Sequence, residues 1–98
     1  MSKNRLTPRS VAQNVNIGAS SAASAAFSAS TKVVRLVSTA DCYLAFSEAG
    51  GSAPVATSAG IYLVAKVPEF FGVDPSSQVA CLEVSGAGVL SIAEGYQL

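Results

Sequence analysis

Residues 32–47 read KVVRLVSTADCYLAFS. Two apolar runs, 32–38 and 42–47, flank the triplet Thr39-Ala40-Asp41. In the first run Val34 and Leu36 fall on one side of a period-two alternation, opposite Val33, Arg35 and Val37. In the second, Cys42, Leu44 and Phe46 oppose Tyr43 and Ala45. β-Branched and aromatic residues alternating in this way build half-buried strands. A three-residue connection between two such runs predicts a hairpin, with Asp41 capping the turn through its own backbone.

Downstream, residues 48–60 (EAGGSAPVATSAG) form a long loop of small residues around Gly50, Gly51 and Pro54. Loops of this length are usually functional or bound to a partner. Ile61–Ala65 reads as a further strand. Pro68 cannot donate to a ladder, so it marks a strand start or an edge, and Glu69–Val73 (EFFGV) follows as a short strand. Period two forces one of Phe70 and Phe71 away from the core. An exposed Phe70 is a contact residue; the plainer alternative is that it covers the outer sheet face beneath a loop. Asp74-Pro75-Ser76-Ser77 is a turn with Pro at its second position, as type I turns favour. Residues 78–84 place Ala80, Leu82 and Val84 on the core side against Val79, Cys81 and Glu83. Ser85-Gly86-Ala87-Gly88 joins them to Val89–Glu94, with Leu90 and Ile92 inward, and this pair reads as the strongest hairpin.

Upstream, Val15 and Ile17 alternate with polar residues in QNVNIG, a short strand ended by Gly18. Residues 19–31 are a Ser/Ala segment in which only Phe27 has bulk. No cap or apolar stripe supports a helix there, so it reads as a loop entering a short edge strand near Ala25–Ser28. Residues 1–10, polar and holding Pro8, read as an extended, flexible basic arm. Residues 11–98 form the domain.

Seven or eight short strands separated by regular turn signals make an all-β domain, a small antiparallel β-sandwich or jelly roll with an N-terminal arm. The expected inward set is Val34, Leu36, Cys42, Leu44, Phe46, Leu63, Phe71, Leu82, Val84, Leu90 and Ile92. At 98 residues the chain is one small domain, and burial in so small a body leaves a thin margin that partners can widen.

Charge argues the same way. Charged residues are only 12% of the chain, about half the usual share for a free-standing domain, which suits a surface partly covered by neighbours. The charge is also polarised. Residues 1–40 carry Lys3, Arg5, Arg9, Lys32 and Arg35 and no acid, a charge of +5, and residues 41–98 carry −5. Opposite signs at the two ends suit head-to-tail contact between copies, or a basic arm lying on an acidic neighbour. Three basic residues in the first nine are too few for a nucleic-acid arm. Gln13, Asn14 and Asn16 interrupt any signal-like apolar run, and no stretch is long enough to span a membrane.

Little here points to catalysis. Without histidine, Ser-His-Asp and Cys-His arrangements are impossible. The six acids are scattered singly along turns and strand edges, so no carboxylate pair is expected. Gly86-Ala87-Gly88 joins two strands, whereas phosphate-binding glycines open a helix. Cys42 and Cys81 lack metal-site spacing. Facing strands could join them, but two buried thiols acting as small hydrophobes is the expected state. No enzyme, cofactor or metal is therefore expected. Tyr43, Tyr62 and Tyr96 fall at outward positions, where tyrosine serves interfaces well; a sugar-binding use of the same rings is the alternative.

Val15–Ile17 with the Ser/Ala segment to Phe27, VRLVSTADCYLAF at 34–46 and VPEFFGVDPSSQVACLEVSGAGVLSIAE at 67–94 together cover most of residues 13–94. This pattern, with PEFF in place of a more general Pro-Glu-aromatic-Phe, resembles small proteins encoded near the head genes of tailed bacteriophages. These are capsid decoration (cement) and other head accessory proteins. The resemblance implies a compact β-sandwich that assembles into the virion in the host cytoplasm. It would bind the outside of the lattice of the major capsid protein, as a homo-oligomer and often a trimer, and it carries no catalytic residues. Expected contact residues are Lys3, Arg5 and Arg9 of the arm, Gly50, Gly51 and Pro54 of the loop, and Phe70, Tyr43 and Tyr62. The alternatives are a head–tail adaptor, tail component or head-fibre base, and a carbohydrate-binding β-sandwich on the virion surface.

Overall fold

The computed structural model describes residues 8–48 and 51–95. Among the described residues there are eight strands: β1 (Pro8–Ile17), β2 (Ala22–Ala23), β3 (Val33–Ser38), β4 (Cys42–Phe46), β5 (Ile61–Leu63), β6 (Glu69–Gly72), β7 (Val79–Glu83) and β8 (Gly88–Gly95). They form two four-stranded antiparallel sheets, ordered β1-β8-β3-β6 and β2-β7-β4-β5. Apart from β4–β5, each strand is followed by one in the opposite sheet. That is the strand order of an eight-stranded jelly roll.

Both expected hairpins are therefore corrected. β3 and β4 lie in different sheets, as do β7 and β8, so Thr39–Asp41 and residues 84–87 are corners over the end of the sandwich. Alternation fixes which side chains face inward. It does not fix whether the next strand returns beside its predecessor or across the core, because either path buries the same face. Here Leu36 and Leu44 share one buried cluster from opposite layers.

That cluster comprises Val15, Ile17, Phe27, Val34, Leu36, Cys42, Leu44, Leu63, Val79, Cys81, Leu90 and Ile92, with Phe46 and Phe71 packed against it. The inward set is as expected except on β7. Val79 and Cys81 face the core, while Leu82 and Val84 are only half-buried. The misreading comes from Glu83, which shares the inward parity. It sits at the last position of the strand, where a carboxylate can leave the core for water.

At one end of the sandwich the corners interlock. Thr39 N donates to Val89 O (3.0 Å), Val89 N to Thr39 Oγ1 (2.9 Å), Lys66 N to Ser38 O (2.7 Å) and Val84 N to Asp41 O (3.4 Å). A Cβ at Gly88 would sit 2.7 Å from Thr39 Oγ1 and 2.8 Å from Ala40 Cβ, so glycine is required by close approach. At the other end, Glu94 is buried inside the first sheet, a position that scattered acids did not suggest. Its Oε1 accepts from Thr31 Oγ1 (2.6 Å) and Ser28 N (3.0 Å), fixing the segment before β3. Ser77 N donates to Asp74 O (3.2 Å) and Ser76 has φ 62°; the turn at 74–77 thus has its third residue left-handed, as in type II rather than the expected type I.

The Ser/Ala segment pairs earlier than expected: the edge strand is Ala22–Ala23, not Ala25–Ser28, and Phe27 plunges into the core. Register places Ala23, Ala80 and Ala45 side by side on the outer face of the second sheet. Ala80 is nonetheless fully buried, and Ala56 of the 48–60 loop is buried with its N–H on Ser21 Oγ (2.8 Å). Ser21 flanks the opposite edge strand, so this loop crosses the sheet, and the row of alanines leaves room for it. β1 begins at Pro8, three residues inside the segment read as an arm; residues 1–7 lie outside the described residues.

Candidate interaction surface

β5 and β6 are the edge strands of the two sheets on the same side of the sandwich. β5 has three residues and β6 four. Both are short because Pro68 and the left-handed Lys66 (φ 65°) lie between them and end the ladders. Among the described residues, the large apolar side chains left exposed are Val55 (69%), Phe70 (55%), Val67 (48%), Val64 (47%), Ile61 (46%) and Tyr62 (46%). Five of these six lie between residues 61 and 70, on β5, β6 and their connection. Tyr62 and Phe70 take the outward phase of opposite sheets, so exposed apolar side chains rim this side of the sandwich on both layers, and apolar exposure concentrated in this way marks a contact site.

Two side chains from the core anchor this margin. Phe71, cross-strand from Val34, turns inward and meets Phe46 with ring centroids 5.3 Å apart. Leu63 is fully buried. Phe70, cross-strand from Arg35, takes the outward phase, so the ring expected to face away from the core does so.

Asp41 holds β5 in place. Its Oδ2 accepts from Tyr62 Oη (2.6 Å) and its Oδ1 from Ala65 N (2.7 Å), so it ties two distant residues together instead of capping its own turn. The Tyr62 hydroxyl and then the Ala65 N–H stabilise the carboxylate and hold its pKa below the ordinary value, and Tyr62 is correspondingly harder to ionise. Tyr43 packs edge-on against Tyr62, centroids 5.7 Å apart. The two tyrosines singled out from the sequence thus form one cluster, its outer ring oriented by a carboxylate.

The other expected contact residues do not join this margin. Lys3, Arg5, Gly50 and Tyr96 lie outside the described residues, and Arg9 lies within β1. Gly51 is exposed, its N–H on Glu48 O (3.0 Å), and Pro54 is half-buried, both in the loop that crosses the second sheet. Sequence reading missed Ile61, Val64 and Val67. The available signal was the run Ile61-Tyr62-Leu63-Val64, apolar on both phases of the alternation although antiparallel strands usually show one polar face.

A shallow cleft of about 360 Å³ at one end of the sandwich is lined by Lys32, Phe46, Ser47, Gly72, Val73, Asp74 and Ser77. Its hydroxyls are already engaged, Ser77 Oγ on Asp74 O and Ser47 Oγ with Gln78 N. Cys42 and Cys81 are free, buried thiols on adjacent strands, two residues out of register: Cys81 pairs with Leu44 and Cys42 with Glu83. Burial pushes the Cys81 thiol up to about 11, with Cys42 adding to it. Burial likewise raises Cys42, against a smaller pull from the Ser38 hydroxyl. Thiols held protonated in this way are poor nucleophiles. Among the described residues, no three potential metal ligands converge. No family model, curated protein or solved structure matches the chain.

Proposed function

We propose that this protein is a structural component of a tailed-bacteriophage virion, a capsid decoration protein that binds the outer lattice of the major capsid protein and braces the head. The observation that carries the reading is the apolar margin along β5 and β6 on a chain whose other large described apolar residues, Val55 apart, are covered. Half-exposed Ile61, Tyr62, Val64, Val67 and Phe70 have a use once a neighbour covers them. The low charge of the surface and the sequence resemblance over residues 13–94 support the same reading. The jelly-roll order adds only fold-level analogy, since that architecture hosts capsid subunits, lectins and enzymes alike.

Mechanistically, such a protein stabilises a shell because it binds the assembled lattice and not the free subunits, so its binding energy is added to the assembled state. Many modest contacts repeated by symmetry give avidity without a single tight site. The basic residues Lys3, Arg5 and Arg9 would lie on an acidic neighbour, with Val55, Ile61 and Tyr62 packing against the shell.

Quantitative gel analysis of purified particles tests this. A fixed stoichiometry close to that of the major capsid protein is expected. A copy number on the order of ten, as in one ring at a single vertex, would assign the chain to the neck or tail instead. Deleting residues 1–7, which leaves β1 whole, is expected to lower occupancy.

A further inference from the structure

Gly72 is a residue that the fold of one chain does not explain. It ends an edge strand, its φ is not left-handed, and a Cβ added there would meet only Lys32 O at 4.0 Å. Glycine inside a strand weakens it and commonly marks a place where another backbone or ligand approaches closely. The ladder shows what is open at this place. Val73 N donates to Lys32 O (3.0 Å), and Val33 pairs with Gly72 and Val34 with Phe71. In an antiparallel ladder alternate residues turn both backbone groups to the same side. Glu69, Phe71 and Val73 therefore address β3, while Phe70 and Gly72 present their N–H and C=O groups to the outside.

We propose that the β6 edge pairs with the β6 edge of a second copy of this chain, antiparallel about a two-fold axis, with Phe70 of each copy opposite Gly72 of the other. This deepens the reading of the β5–β6 margin as an interaction surface and rests on it. The register satisfies the open groups of both copies with four backbone hydrogen bonds. It also lays each Phe70 ring over the partner's glycine, where there is no side chain to obstruct it, an arrangement known to rescue edge glycines.

Charge selects the second copy over other occupants. Lys66 and Glu69 lie at the start of β6, Lys32 and Asp74 at its end, and all four are exposed. Antiparallel pairing in this register brings Lys66 toward Asp74 of the other copy, and Glu69 into line with Lys32 of the other copy across Val73. Each edge is thus complementary to itself. Pro68 and Glu69 limit the pairing to a few residues, so it closes as a dimer and does not spread.

Sedimentation equilibrium of the full chain, up to about 1 mM, decides the matter. A monomer–dimer equilibrium is expected, weakened at least tenfold by Phe70→Asp and at least tenfold by Gly72→Val. Because a Cβ at position 72 has room, Gly72→Val is expected to leave the melting temperature unchanged or higher, which separates lost pairing from lost folding. Val55→Asp, in the loop over the second sheet, is expected to have no effect on dimerisation. A monomer at every concentration, a trimer, or a dimer indifferent to both β6 substitutions would overturn the proposal. If the chain is monomeric but Phe70→Asp still empties particles, the edge serves a different protein and the assembly reading survives without self-pairing. If the dimer forms but the chain is absent from particles, the assembly reading fails and the pairing stands.

Discussion

At the margin formed by β1 and β2 the sandwich is sewn shut, whereas at the margin formed by β5 and β6 it is left open. On the closed side, Gln13 of β1 reaches the chain just past β2: Ala25 N donates to Gln13 Oε1 (3.0 Å) and Gln13 Nε2 to Ala25 O (3.4 Å), across the gap between the sheets. β1 runs for ten residues, buries Val15 and Ile17, and turns Asn14 and Asn16 outward. On the open side the strands are three and four residues long and their outward side chains are Tyr62 and Phe70. A sheet that ends at a polar, side-chain-stitched edge has no reason to continue. One that ends in half-exposed aromatic and β-branched residues gains by continuing into a neighbour.

The sharpest way to break this contrast uses one substitution at two isoleucines, each on an edge strand. Ile17 is 2% exposed and Ile61 46%. Ile17→Ala is expected to destabilise by about 2–5 kcal/mol, and Ile61→Ala by about 1 kcal/mol or less, measured by denaturant unfolding of the isolated protein. Equal losses would mean that β5 is core to the monomer and the open margin is no margin at all. A smaller effect belongs to the stitch. Gln13→Ala removes both bonds to Ala25 and is expected to cost roughly 0.5–1.5 kcal/mol. Phe70→Ser, on the open side, is expected to stay within about 0.5 kcal/mol of the parent.

Both margins were visible in the sequence to different degrees. The polar alternation of QNVNI announced a strand with one wet face, and the structure has it. Phe70 was separable from Phe71 by parity alone. The apolar run at 61–64 announces a strand, but apolar side chains on both phases suit a buried central strand as well as an open edge, and only the long-range pairing puts β5 at the edge. The larger error, hairpins at 39–41 and 85–88, came from treating a short connection as an in-plane return. Neither triplet nor tetrad carries information about layers; the distinction is made by long-range pairing, β3 with β8 and β4 with β7. Ala80 is buried as its expected core-side placement implied, but from the outer face, and that was illegible, since its cover is the loop holding Ala56, far upstream.

Acid sharpens the comparison further. Asp41 secures the open margin through Tyr62 and Ala65, and its carboxylate is held below its ordinary pKa of 3.8. A group whose pKa is depressed on folding stabilises the native state above its unfolded value and loses that contribution as pH falls through its folded value. Melting temperatures of the parent and Asp41→Asn are therefore expected to differ above about pH 4 and to converge below it. A gap that persists undiminished at the acid end would detach Asp41 from the margin. The smallest expected effect concerns the thiols. With Cys81 raised to about 11 and both cysteines buried, neither is expected to react with a thiol reagent at neutral pH until the protein unfolds, on either side of the sandwich.

Particle composition tests the central claim, that the open margin exists to be covered in a shell, most directly. Purified virions should contain this chain in a constant ratio to the major capsid protein, and a Val64→Asp, Val67→Asp double variant, which leaves the Asp41–Tyr62 bond intact, should fold as the parent does yet occupy those particles at least tenfold less. Equal occupancy by the folded variant, or virions that lack the chain altogether, would contradict it.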